Sequence, residues 1–230
     1  MEQTTTLIAD AVRGLDRLEQ PRVDDWRFSL PVLAAGDVVL REVRSTDAPA
    51  LQSLLTTPEI TRYISQPPTT VEGFERFIAA SQRLRASGEG ACFAITLKGY
   101  DTAIGIFQVR QVVPCEDEAR QIGGAMDTAE WGFALGSPFW GAGIFEQGAT
   151  LVMQFAFEHV RVNRLEARCA AKNGRGNRAL RKVGAVAEGI LRKAFTVGDE
   201  QLDQVLYAIV AQDWRERRGT AGAATSAYMH

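Results

Sequence analysis

Histidine is almost missing from this chain: two occur in 230 residues, His159 towards the end of an amphipathic segment and His230 at the last position. A histidine metal site or a Ser-His-Asp triad would have to be built on His159, which reads as a partly buried helix residue, so most hydrolase chemistry lacks its usual base. Cysteine is scarce too. Cys92, Cys115 and Cys169 are odd in number and far apart with no Cys-x-x-Cys pair, which argues against a disulfide framework or a structural zinc site and points to a reducing compartment. Cys115 stands beside Glu116, Asp117 and Glu118, whose charges raise a thiol pKa and so speak against a nucleophile. No apolar run reaches the length of about 18 residues that spans a bilayer. The N-terminus lacks the basic-then-apolar order of a secretory signal, so the expected location is cytoplasmic, with no membrane partner. Charge of one sign is not in excess either: 26 basic residues face 28 acidic ones, for a net −2, which leaves no overall basic field to hold nucleic acid.

What is present is enough apolar material for one core, with 46% of residues hydrophobic. The expected organisation is an N-terminal extension over residues 1–37, one domain over 38–214 and a disordered tail over 215–230. In the extension Leu7, Ile8, Ala11, Leu15 and Leu18 share a helical stripe that needs a surface to cover it, either this domain or a second copy, so a homodimer is an expectation. Pro21 to Asp37 reads as an ordered linker. Val38 to Val43 reads as a strand, Asp47 as the cap of a helix with Pro49 in its first turn, and Thr57-Pro58 as the start of another short helix. Val71 to Arg85 carries a helical stripe, and Ala91–Leu97 and Ala103–Val113 read as successive strands turning at Gly99-Tyr100-Asp101.

The stretch from Trp131 to Phe145, WGFALGSPFWGAGIF, organises the rest. It opens as a strand from Glu130, breaks at Gly136-Ser137-Pro138 and reopens at Gly141-Ala142-Gly143 on the first turn of a helix running to about His159. A helix start has backbone N–H groups without intrahelical partners and partial positive charge, so small residues there make a cradle for phosphate. A tight turn needing glycine for its dihedrals is the plainer reading of any single Gly-x-Gly. The next segment, Arg164 to Ala170, alternates as a strand, which makes the whole a right-handed parallel β-α-β unit and gives the glycine loop the context that phosphate binding requires.

Four segments in order then carry a family likeness. W-G-A-G-I-F at 140–145, K-N-G-R-G-N-R-A-L-R-K-V-G-A at 172–185, E-G-I-L-R-K at 188–193 and D-Q-V-L-Y-A-I at 203–209 resemble the GCN5-related N-acetyltransferases (GNAT). Within them the likeness is to the branch that includes the ribosomal-protein N-terminal acetyltransferases, and it covers roughly Val38 to Trp214. It implies an α/β (α+β) GNAT fold, a mixed, mostly antiparallel sheet splayed at a parallel β-α-β acyl-CoA site and flanked by helices. The family pattern is Arg or Gln, two residues, Gly, one residue, then Gly or Ala. Here Trp140 takes the first place, Gly143 matches, and Phe145 stands where a small residue is usual, which fits only if its ring points into the core.

Read as chemistry, the resemblance implies direct transfer of an acetyl group from acetyl-CoA, as cosubstrate and without a metal, to a small-molecule or peptide amine. The main chain of Gly141, Ala142, Gly143, Ile144 and Phe145 would hold the pyrophosphate, with Trp140 also at the cofactor. The pantetheine arm would run along Phe133, Ala134 and Leu135 like an added strand, with Asn173 and Asn177 beside it. Arg178, Arg181 and Lys182 would meet the adenosine phosphates or form a solvated face. Glu130 matches the acidic residue of the family's E-x-G-x-x-L pattern and is the expected base, acting through water, unless it merely pairs with Arg164 or Arg168. An α-amine near pKa 8 is roughly a tenth neutral at pH 7, whereas a lysine amine is under about a thousandth, a difference on the order of 3 kcal/mol in favour of weakly basic acceptors. Leu180 and Gly176 stand where many relatives have a tyrosine and a serine or alanine, so neither can protonate the leaving thiolate. A larger acyl-CoA, or a CoA-binding protein without chemistry, remain as alternatives.

Overall fold

The computed structural model of the chain describes residues 25–112 and 127–226, with side chains up to Arg218. The N-terminal helical stripe, part of the linker and Cys115 lie outside the described residues. Eight strands form one sheet in the order β1-β2-β3-β4-β5-β6-β8-β7. They are β1 (Leu33–Ala35), β2 (Val38–Glu42), β3 (Gly90–Leu97), β4 (Tyr100–Gln111), β5 (Thr128–Leu135), β6 (Arg164–Ala170), β7 (Val186–Val197) and β8 (Glu200–Val210). All neighbours are antiparallel except β5 and β6, which pair in parallel.

β1 is a correction to the linker reading. Leu33–Ala35 pairs with Val38–Leu40 in a hairpin turned at Gly36, whose φ of +56° lies in the left-handed region. Three residues are too few for alternation to declare a strand.

The helices are α1 (Ala48–Leu55), α2 (Pro58–Thr61), α3 (Val71–Ser87), α4 (Ile144–Gln154), α5 (Gly174–Lys182) and α6 (Ala211–Ser226). α3 begins with Thr70 accepting a hydrogen bond from the Gly73 N–H and stops at Gly88, with φ +79°. α4 carries on as a π-helical turn, Phe155–Val160, and ends at Arg161 in the left-handed region. The sheet is covered on both faces, so β3 is buried along almost its whole length. On one face Phe93, Phe107, Trp131 and Leu165 pack with Leu151 and Val152 of α4 and Phe155 of the π-helical turn. On the other, Cys92, Ala94 and Ile106 pack with Leu51, Leu55, Phe74 and Ile78 of α1 and α3.

Three further expectations change. Asp47 does precede α1, yet its side chain makes no cap bond to that helix. Its carboxylate is buried instead, accepting two hydrogen bonds from Arg41 at 2.7 and 2.8 Å and one from the Arg44 N–H. His159 is exposed on the last turn and stacks at 5.8 Å on Phe155. The segment read as the start of a disordered tail is part of α6, held where Trp214 stacks on Phe157 at 5.7 Å and Arg217 donates to the Gly184 carbonyl at 2.6 Å.

Candidate functional site

β5 and β6 share only three pairs, Thr128 with Arg164, Ala129 with Leu165 and Glu130 with Glu166. Beyond Glu130 they diverge, and the β5 main chain from Trp131 to Leu135 has β4 on one side and no strand on the other. An unpaired strand edge offers donors and acceptors to an extended ligand.

At the end of β5 the Gly136 N–H donates to Ile104, a short 3-10 turn spans Ser137–Phe139, and the Trp140 indole Nε1–H donates to the Leu135 carbonyl at 2.8 Å. The chain then passes through Gly141 at φ +83° and Gly143 at φ +74° into α4. Both angles favour glycine, so the turn does need it. The space above the turn also matters: a Cβ on Gly141 would meet nothing within 4 Å, and one on Gly143 only Gln147 Nε2 at 3.9 Å. No side chain caps the start of α4, so its first N–H groups face that space without intrahelical partners.

A cleft of about 610 Å³ opens there. Phe133, Ala134, Leu135, Trp140, Gly141, Gly143, Ile144, Phe145 and Asn173 all line it, so most of the expected contacts come together. Ala142 lies in the same turn but is not part of the lining. Phe145 turns its ring into the core, 4.4 Å from Phe133 and about 6 Å from Phe107 and Trp131, counting 6.0 and 6.4 Å. Asn173 caps α5 by accepting from the Gly176 N–H at 2.9 Å.

Asn177 is a correction. It is buried, donates to the carbonyls of Ala170 at 2.9 Å and Asn173 at 2.7 Å, and accepts from the Tyr207 hydroxyl at 2.9 Å. Those bonds tie β6, α5 and β8 together, and the side chain lines neither cleft.

The charge of the cleft comes from Arg62, Arg175, Arg178 and Lys182 against Glu59 and Glu146, four cations and two anions. Lys182 pairs with Glu146 at 2.5 Å, but both are well exposed, and such a pair holds weakly enough to exchange for a bound anion. Arg181 points elsewhere, 5.9 Å from the Tyr207 ring. Arg175 was not singled out from the sequence; its guanidinium lies 3.8 Å over the Trp140 ring and joins α5 to the glycine turn across the cleft.

A second cleft of about 500 Å³ lies on the sheet face that carries Glu130, Gly132 and Ala134. It shares Tyr63, Ile64, Phe133, Ala134, Asn173 and Gly176 with the first, so the two meet where β5 and β6 part. Glu130 lines the second cleft and pairs with Arg168 at 3.2 Å, both side chains being a little over one-third exposed. Arg164 is engaged elsewhere, with Glu166 and Glu188. Cys169 lines the second cleft too, but burial pushes its thiol up to about 11, so it is no nucleophile at neutral pH. Among the described residues no cluster of His, Cys, Asp and Glu could hold a metal, and no helix is long and apolar enough to cross a membrane.

Comparison with known proteins matches this geometry. A family model described as an acetyltransferase (GNAT) domain matches residues 37–186. The probable N-acetyltransferase YjcK of Bacillus subtilis (strain 168) is 31% identical over 144 residues, covering 63% of this chain and 75% of YjcK. Among solved structures, Mycobacterium smegmatis RimJ in complex with CoA-disulfide superposes with a TM-score of 0.67 at 23% identity, over 76% of this chain and 83% of that one. The ribosomal-protein-S5-alanine acetyltransferase of Vibrio fischeri does so with a TM-score of 0.69 at 17% identity, over 80% and 98%. At those identities the two structures share the fold.

Proposed function

This chain belongs to the GNAT acetyltransferase family and is an acyltransferase, and we propose that it moves an acetyl group from acetyl-CoA directly to a primary amine. The observation that carries the reading is the uncapped start of α4, which opens through Gly141 and Gly143 onto an empty floor beside the free edge of β5. The residues fit the ligand in charge as well as shape. The N–H groups from Gly141 to Phe145 suit a diphosphate, Arg175, Arg178 and Lys182 flank it with positive charge, and the β5 edge suits an extended amide-bearing arm. Bound there, acetyl-CoA supplies an activated acyl group whose thiol, with an ordinary pKa near 8.5, departs with little help. Among the described residues no nucleophile is placed to take the acyl group, which supports direct attack by the amine.

The acceptor enters through the second cleft in this reading, because the two clefts meet at Phe133 and Ala134. Glu130 takes the proton from the amine through a water molecule, while Arg168 holds the carboxylate in place. The deciding experiment is calorimetric titration with acetyl-CoA, followed by thiol release against α-amino peptides, amino acids and polyamines. Saturable binding with release in at least one amine class is expected. Absence of uptake at millimolar ligand would overturn the reading.

A further inference from the structure

Resting on the amine-transfer reading above, we infer that the acceptor is a primary amine that also carries a carboxylate a few bonds away, and that Arg110 selects it. The floor of the second cleft is the sheet face on which β4, β5 and β6 lie side by side. Register puts Arg110 of β4 opposite Glu130 of β5, and Arg168 of β6 reaches the same carboxylate from the other side at 3.2 Å. Arg110, Glu130 and Arg168 are the Asp, Glu, Lys and Arg side chains of the lining, two positive and one negative. Glu130 is answered by Arg168. The Arg110 side chain is exposed and has no hydrogen-bond or ion-pair partner among the described residues.

That leaves one positive charge in excess, in a cavity meant for a molecule that is itself a cation before it reacts. A polyamine, cationic at every end, would bring more positive charge to an already positive site. An acceptor with its own carboxylate removes the conflict, because a guanidinium receives a carboxylate through two parallel hydrogen bonds. The spacing agrees. Directly opposed residues on antiparallel strands have Cβ atoms roughly 5 Å apart, so an amine at Glu130 and an anion at Arg110 belong to groups separated by a few bonds. The floor beside them is clear, since a Cβ on Gly132, the next position of β5 on this face, would meet nothing within 4 Å. Phe77 and Phe195 on the walls leave room for an apolar remainder. A free amino acid and the N-terminus of a short peptide with an early acidic residue share this chemistry.

The test compares matched acceptors by calorimetry on the protein saturated with CoA, so that recognition is read whether or not turnover follows. The pairs are leucine with 3-methylbutylamine, phenylalanine with phenethylamine, and Ala-Glu amide with Ala-Gln amide, with spermidine alongside. In at least one pair the carboxylate-bearing member should bind about ten- to a hundredfold more tightly, the scale of one charged hydrogen-bonded contact. Whether the free amino acids or the dipeptide bind better tells the two sources apart. Arg110→Gln should abolish that preference, and Arg110→Glu should turn it towards spermidine, both with unchanged acetyl-CoA affinity and melting temperature. Equal binding within every pair, no binding by any acceptor, or a preference that survives Arg110→Gln would overturn the inference. Acetyl-CoA uptake by the same wild-type sample separates the two failures: without uptake the transferase reading falls, and with uptake but no preference only the acceptor assignment does.

Discussion

Replacing Phe145 with alanine separates two consequences of placing a large ring at the mouth of a phosphate cradle. Its ring lies 4.4 Å from Phe133 and 6.0 Å from Phe107, on the core side of α4, while what it offers the cleft is its main-chain N–H. A fully buried Phe→Ala change costs about 3–5 kcal/mol. Phe145 is only half-buried, and part of what is lost is the ring contact with Phe133, worth about 0.5–1.5 kcal/mol. The expected loss is therefore about 2–3 kcal/mol, and at about 2–4 °C per kcal/mol for a chain of this size the melting temperature should fall by about 4–12 °C. Alanine keeps the N–H and suits the first turn of a helix, so affinity for acetyl-CoA should stay within about threefold of wild type. Thermal unfolding by circular dichroism and calorimetric titration of the same preparation read both quantities. A tenfold gain in affinity with no loss of stability would refute the reasoning, because it would mean that the ring obstructs the ligand instead of bracing the core.

Gly143→Val should raise the dissociation constant for acetyl-CoA by tenfold or more and cost about 1–2 kcal/mol of stability, since it forces a branched residue to φ +74° under the ligand; unaltered titration curves would show that the anion does not sit there. Glu130→Gln should lower kcat by about a hundredfold or more with little change in acetyl-CoA affinity, and an enzyme with intact kcat and an intact acidic limb of its pH–rate profile would remove Glu130 from the chemistry. Burial raises the Cys92 thiol to about 12 and the Cys169 thiol to about 11. Because the folded protein holds those protons more tightly than the unfolded chain, whose thiols lie near about 8.5, stability should be complete below that pH and decline as pH rises towards 11 and 12. Urea midpoints against pH for wild type and Cys92→Ala check this, and mass-spectrometric detection of rapid native labelling of Cys92 at pH 8 would contradict it.

The glycine turn was legible because its signals agree: alternation ends at Leu135, helical periodicity begins at Ile144, and Gly141 and Gly143 between them tolerate left-handed backbone. The parallel unit was legible for a related reason, since a strand, a helix and a strand in that order leave few ways to pack. The grouping of Arg110 with Glu130 and Arg168 was not, because it depends on the register of three strands, and the first two are joined through a polar segment too long for its sequence to set that register. Asn177 misled because an asparagine next to a glycine looks like a ligand contact, whereas the carbonyls of Ala170 and Asn173 and the buried hydroxyl of Tyr207, 30 positions further on, give it another task. Asp47 misled similarly: it sits where a helix cap belongs, while Arg41, six residues earlier and 5% exposed, commands its carboxylate.

The three-rung join between β5 and β6 has a mechanical consequence. A sheet paired along its whole width behaves as a single plate. Here five strands on one side and three on the other are two leaves hinged on a very short spine, with α4 as the strap across it. A guest lying in the gap would touch both leaves and take over the role of the missing rungs, so filling the gap would also stiffen the molecule.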